Sequence, residues 1–278
     1  MGIQVHKQTT RFTTAAKPAS NWLARLGGRR SQLLFPLVIV VALALWEALV
    51  RWQQYPPFIL PGPVLVWQKL VVVAADGTLT RHAVVTLVEV ALGLALGLST
   101  ALLLGYVLGK NQSLERLISP YIIASQSVPI VAVAPLLVIW LGSGLASKVF
   151  VCALITFFPT LISTIVGLRS VDPELRDLLR SLRASAWQQF RLLELPSALP
   201  VLFGGLKLSV ILAVVGAVVG EFSGADVGLG FLINLARGVL DTPLMFVAVI
   251  CLVVIAQLLY LLVSLAERIC LRWRVVGE

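Results

Sequence analysis

Few side chains in this 278-residue chain stand where they could do chemistry, and their spacing closes off most reactions. No G-x-x-x-x-G-K-[ST] phosphate loop is present: Gly142-Ser143-Gly144 and Gly204-Gly205 lie in or beside apolar runs at the wrong spacing, so the chain does not hydrolyse nucleotide by that route. The G-x-S-x-G pattern of a seryl nucleophile is absent as well, which leaves an intramembrane hydrolase without support. His6, in a basic tail, and His82, in a loop, form no cluster and read as solvated. Cys152, Cys251 and Cys270 are far apart, two of them inside apolar runs, so they fit packing better than a disulfide framework or a metal. No catalytic residue, metal site or cofactor is expected.

What remains is polarity in apolar surroundings. A charge left in hydrocarbon costs about 2.5–3.5 kcal/mol on insertion scales. Glu47, Glu89 and Lys207 sit in apolar runs. Glu47 is close to a run's end, Glu89 is deep enough to line a path, and Lys207 can snorkel toward the cytoplasmic side. Pro120, Pro129 and Pro135 are expected to interrupt a third run, and broken backbone survives at membrane depth only where protein or a water-filled cavity satisfies it. Gln126 and Ser127, just before Pro129, are therefore candidates for a translocation path, together with Pro129 itself and Glu221 at the end of a glycine-rich run. Kinked packing without a path is the plainer alternative. Gly93, Gly97, Gly204, Gly205, Gly216 and Gly220 read as close helix contacts.

A second kind of chemistry is recognition. Residues 172–200 form a polar, arginine-bearing island between apolar runs. Asp172-Pro173 is a helix start, and Glu174 adds the negative charge a helix N-terminus favours. Leu175, Leu178, Leu179 and Leu182 then make one stripe, and Arg176, Arg180 and Arg183 another. Like charges so spaced repel slightly, which suggests something acidic outside, either lipid headgroups or a protein. Small residues Ala184, Ser185 and Ala186 lead to Trp187 and Phe190, and Pro196 disfavours helix at Leu195. An amphipathic pair lying on the membrane and a docking element for a protein are both open on spacing alone.

The elements that must position these residues are membrane spans. With 59% hydrophobic and 13% charged residues and a mean hydropathy of +0.97, the chain is an all-α polytopic membrane protein. The net charge of +9 does not indicate nucleic acid, because the basic residues fall between apolar runs rather than in one patch. A bilayer core of about 30 Å takes about 20 helical residues to cross. Six transmembrane helices are expected, near 33–50, 83–108, 117–141, 149–168, 199–220 and 244–265. Residues 1–32 lack an early apolar core and cleavage site and read as a cytoplasmic tail. Sixteen lysines and arginines fall on the side of the termini and the island, and five on the other, so both termini and the island are expected to be cytoplasmic. Residues 51–82 and 222–243 become the long outside segments, the second with a turn and a short helix. No separate soluble domain is evident: the tail, a span region over 33–270 and a short end over 271–278 account for the chain.

The run LLRSLRASAWQQFRLLELPSALPVLFGGLKLS resembles the cytoplasmic coupling loop of ABC-importer permeases, here residues 169–198. Arg180-Ser181-Leu182, Ala184-Ser185, Trp187, Phe190, Leu195-Pro196, Leu199-Pro200 and Gly205 carry the match. Leu60-Pro61-x-Pro63, Ser127-Val128-Pro129, Ala134-Pro135, Gly220-Glu221-Phe222 and Gly228-Leu229-Gly230 agree with it. Two positions depart: the family's acidic-alanine-alanine opening is Asp177-Leu178-Leu179, and its glycine is Arg183. The resemblance covers about residues 35–270 and is nearest to permeases for sulfonates, taurine, nitrate and pyrimidine or flavin vitamin precursors. It implies a type I ABC-importer permease fold in the cell inner membrane, working as a homodimer with a separate cytoplasmic ATPase and an extracytoplasmic solute-binding protein. It also implies that Arg180, Arg183, Ala184, Ser185, Ala186, Trp187 and Phe190 couple to that ATPase. An ion-coupled secondary transporter is the alternative class, although it would want midplane ion ligands and often two related halves.

Overall fold

The computed structural model describes residues 22–273, with side chains from Leu37 onward, so most of the basic tail and the last five residues lie outside the described residues. The chain divides into two compact units, residues 1–54 and 55–278. In the first, α1 (Trp22–Gln53) begins inside the stretch expected to be tail, contains the first apolar run, and pairs Glu47 with Arg51 one turn on at 2.7 Å.

The second unit is helical wherever it is regular, and its helix starts follow side-chain chemistry. Pro63 opens α2 (Pro63–Ala75). The Thr78 amide donates to Asp76, which holds that carboxyl below its usual range and turns the chain into α3 (Thr78–Lys110). Asn111 caps α4 (Gln112–Gln126) by accepting from the Leu114 amide at 3.1 Å. Then come α5 (Ile130–Leu141) and α6 (Leu145–Arg169), followed by α7 (Pro173–Ser181). Next are α8 (Ala186–Gln189), a π-helical turn (Phe190–Glu194) and α9 (Leu195–Phe222). The expected short outer helix is α10 (Leu229–Gly238). Asp241 caps α11 (Thr242–Cys270) and also pairs with Lys69 of α2 at 2.5 Å.

Among the described residues four stretches are long and apolar enough to cross a membrane: α3, α6, Ala186–Phe222 and α11. The pair α4 and α5, bent by 90°, makes a fifth if it is one broken span. Only Pro129 breaks that third run, since Pro120 lies inside α4 and Pro135 inside α5. The reason is local. Ser125 and Ser127 hydroxyls already turn back onto carbonyls one helical turn earlier, and Pro129 then cannot supply the next amide.

The core is the seam of α3, α6 and α9. Gly93, Gly97, Ala101, Gly105 and Gly109 repeat every four residues along α3 and let its backbone meet α6. A methyl group at Gly105 would lie 2.6 Å from the Thr164 Cβ, and one at Gly93 or Gly97 would collide with Cys152 or Thr156. Gly205 and Gly216 do the same for α9 against α6, as their expected packing role requires. Gly204 meets nothing. Val90, Leu94, Val210, Val214, Leu229, Leu232 and Leu252 form one cluster of that core.

Candidate functional site

The segment after α6 is held by caps at every step. Asp172 accepts from the Glu174 amide at 2.9 Å to start α7. At its end the Arg183 amide donates to Arg180 and the Ala184 amide to Leu179, the paired bonds of a Schellman motif. The residue in the left-handed position is Arg183, at φ +54°. An arginine thus holds a left-handed turn at the position where the resemblance expects glycine. Ser185 then forms a full capping box with Gln188 and starts α8.

The helix does not stop at Leu195, contrary to the expectation from Pro196. It continues from Ala186 to Phe222 because the π turn absorbs the irregularity: the Leu195 amide reaches Phe190. That wider register precedes the position where proline brings no amide.

These caps orient the side chains. Leu175, Leu178 and Leu182 are exposed, and Trp187 is 65% exposed, so an apolar face stands free on this side of α7 and α8. Phe190 is half-buried: its ring meets Tyr106 of α3 edge-on at 5.6 Å and stacks with Trp187 at 5.7 Å. Tyr106, Ala186, Trp187 and Phe190 line an apolar pocket of about 380 Å³. The arginine stripe is split, because Arg180 and Arg183 are exposed while Arg176 turns inward and buries its Nε. Behind them Lys110 pairs with the buried carboxylate of Glu194, and Arg169 pairs with Glu115.

The expected path residues fall in two places. Gln126, Ser127 and Pro129 are exposed at the α4–α5 bend. Glu221, 1% exposed, accepts from the Thr86 hydroxyl at 2.6 Å and from the Gly230 amide, and lies against Glu89. Thr86 Oγ1 also accepts from the Leu229 amide at 2.8 Å. Lys148 Nζ donates to the carbonyls of Ser143 and Gly224. This network fixes the α9–α10 loop to α3 and α6, and a Cβ at Gly228 would overlap the Glu221 carboxylate.

His82 belongs to the same network and is not a solvated loop residue. It lies in α3, buried, with the Gly228 amide donating to its Nδ1 at 3.0 Å. Lys148 is likewise buried at the start of α6. Lys207 does not simply snorkel to water: it pairs with Glu267 of α11 and lies 5.8 Å from the Tyr260 ring centroid. Sequence spacing missed these partners because they are 60 to 146 residues apart.

Residues 93–273 match the family described as binding-protein-dependent transport system inner membrane component. The riboflavin transport system permease protein of Chloroflexus aurantiacus is 48% identical over 86% of this chain and 89% of its own length. The formylaminopyrimidine transport permease protein of Halalkalibacterium halodurans is 34% identical over 88% of this chain and 98% of its own. A solved inward-facing MetNI methionine ABC transporter contains a chain of similar fold, at TM-score 0.57 and 21% identity, covering 69% of this chain and 94% of that one. The chain is an inner-membrane permease subunit of an ABC importer and belongs to the binding-protein-dependent transport system inner membrane component family.

Proposed function

We propose that two copies of this chain pair in the inner membrane, six spans each with both termini cytoplasmic, and that a separate cytoplasmic ATPase docks on residues 169–198. The observation that carries the docking is the free apolar face of Leu175, Leu178, Leu182 and Trp187, held on a segment capped at each turn. An exposed apolar patch rimmed by charge is the physical mark of a partner surface. Trp187 is the anchor that enters a groove of the ATPase, and Phe190 backs it against Tyr106. Arg180 and Arg183 meet acidic groups at the rim and set orientation, while Ala184, Ser185 and Ala186 allow close approach.

The solute is a flavin or pyrimidine vitamin precursor delivered by an extracytoplasmic binding protein. Support for that class comes from the names of the two relatives above. Gln126, Ser127 and Pro129 border the path, and Glu221 serves it by anchoring the loop at its outer end. Proteoliposomes holding the permease, its ATPase and the loaded binding protein test the whole reading. Uptake that follows ATP and ignores ion gradients is expected; uptake that follows an ion gradient without ATP refutes it.

A further inference from the structure

Behind the coupling segment lies a small polar pocket of about 120 Å³ that shares only Arg180 with the docking surface. Lys110, Arg176, Arg180, Gln189 and Glu194 line it, where the ends of α3 and α6 meet α7 and the π turn. One carboxylate thus faces three cations. Lys110 takes one oxygen of Glu194. Arg180 is 3.3 Å from Asp177, but both are well exposed, so water screens that pair. The Gln189 side-chain amide donates to the Ala184 carbonyl at 2.9 Å. Two buried polar atoms in this lining have no partner: Nε of Arg176, a donor, and Oε2 of Glu194, an acceptor on a residue 1% exposed.

We propose that this pocket binds a phosphate group carrying one proton. Such a group answers both unpartnered atoms at once. Its unprotonated oxygens accept from Arg176 and Arg180, whose planar forks suit a tetrahedral oxoanion. Its single P–O–H donates to Glu194 Oε2, which can only accept. The volume of about 120 Å³ is enough for one tetrahedral anion. Sulfate has the same shape and charge but no proton to give, so it would set acceptor against acceptor. Sulfate is therefore expected to bind about 10- to 100-fold more weakly, the factor a buried unmet acceptor commands. The two unpartnered atoms belong to Arg176 and Glu194, neither of which is assigned to ATPase docking, so the site does not rest on that reading.

Inorganic phosphate and the headgroup of phosphatidic acid offer the same chemistry, whereas phosphatidylglycerol, a diester, lacks the P–O–H on its phosphorus. The purified full-length permease would be titrated with phosphate and with sulfate by calorimetry, and its bound lipid would be weighed by native mass spectrometry from nanodiscs of each lipid. Expected are a phosphate signal, a much weaker sulfate signal, and loss of the phosphate signal in Arg176→Gln, which leaves the Lys110–Glu194 pair intact. Glu194→Gln should erase the preference, because its amide can donate to sulfate. Phosphatidic acid retained by the wild type and lost from Arg176→Gln assigns the site to lipid; a phosphate signal with no retained lipid assigns it to the free ion. Equal affinity for phosphate and sulfate, or phosphate binding unchanged in Arg176→Gln, overturns the proposal.

Discussion

Arg183 occupies a backbone conformation that costs an L-residue about 1–2 kcal/mol, and the two Schellman bonds around it show what that cost maintains. Glycine at this position removes the steric cost but adds freedom to the unfolded chain worth about 0.4–1 kcal/mol, so Arg183→Gly should leave thermal stability unchanged or raise it by up to about 1.6 kcal/mol. Arg183→Val, β-branched and intolerant of positive φ, should lower it by about 1–2 kcal/mol or more and loosen ATPase retention. Thermal unfolding of the two purified variants, beside co-purification of the ATPase, reads both effects. The aromatic pair separates in the same way. Trp187→Ala should keep the wild-type melting temperature and lose the ATPase, because the ring is mostly in solvent. Phe190→Ala should lose the ATPase and also about 1–3 kcal/mol of stability, because its ring packs on Tyr106. Co-purification of Trp187→Ala at wild-type stoichiometry would remove Trp187 from the interface.

At the scale of elements, the long apolar runs, the cap at Asp172 and the short helix after Gly228 were readable because each depends on residues a few positions apart. The partition of prolines was not. Pro129 breaks a run while Pro120, Pro135 and Pro196 are carried inside helices, and the outcome turns on whether the neighbouring turns can rearrange their bonds. Helix contact is a second case, since six glycines were singled out alike and the structure sorts them by what faces each. Gly204 and Gly205 are adjacent in α9, yet a methyl group on Gly204 meets nothing while one on Gly205 lies 2.5 Å from the Ser163 Cβ. Gly204→Ala should therefore be neutral or add about 0.5–1 kcal/mol through helix propensity. Gly205→Ala should force α9 off α6 and cost about 1–3 kcal/mol. Thermal melts of the single variants in one detergent decide it, and equal effects would mean the α6–α9 contact is looser than described.

For the molecule as a whole, the polar residues that the sequence groups as one candidate path divide between two settings, and thiol chemistry can test what each does. Glu221 is 1% exposed, with its carboxylate engaged by Thr86 and Gly230, whereas Gln126 and Ser127 are exposed beside a 90° bend. Spacing could not separate them: the partners of Glu221 on α3, Thr86 and Glu89, lie 132 to 135 residues away in sequence, visible only once α3 and α9 are in contact. A background without reactive thiols needs Cys270 replaced first because it is exposed, then the half-buried Cys251, while Cys152 is fully covered. In that background a cysteine at position 126 or 127 should react with a small water-soluble reagent at a rate that changes when the assembled importer is held with or without ATP, since a path open to alternate sides must change its exposure to water. A cysteine at position 221 should stay unreactive in both states. It should also lower stability by about 1–3 kcal/mol, because the Thr86 hydroxyl and the Gly230 amide lose their acceptor in a buried setting. State-dependent labelling at 221 would return Glu221 to the path wall, and inertness at 126 and 127 in every state would take the α4–α5 bend out of it.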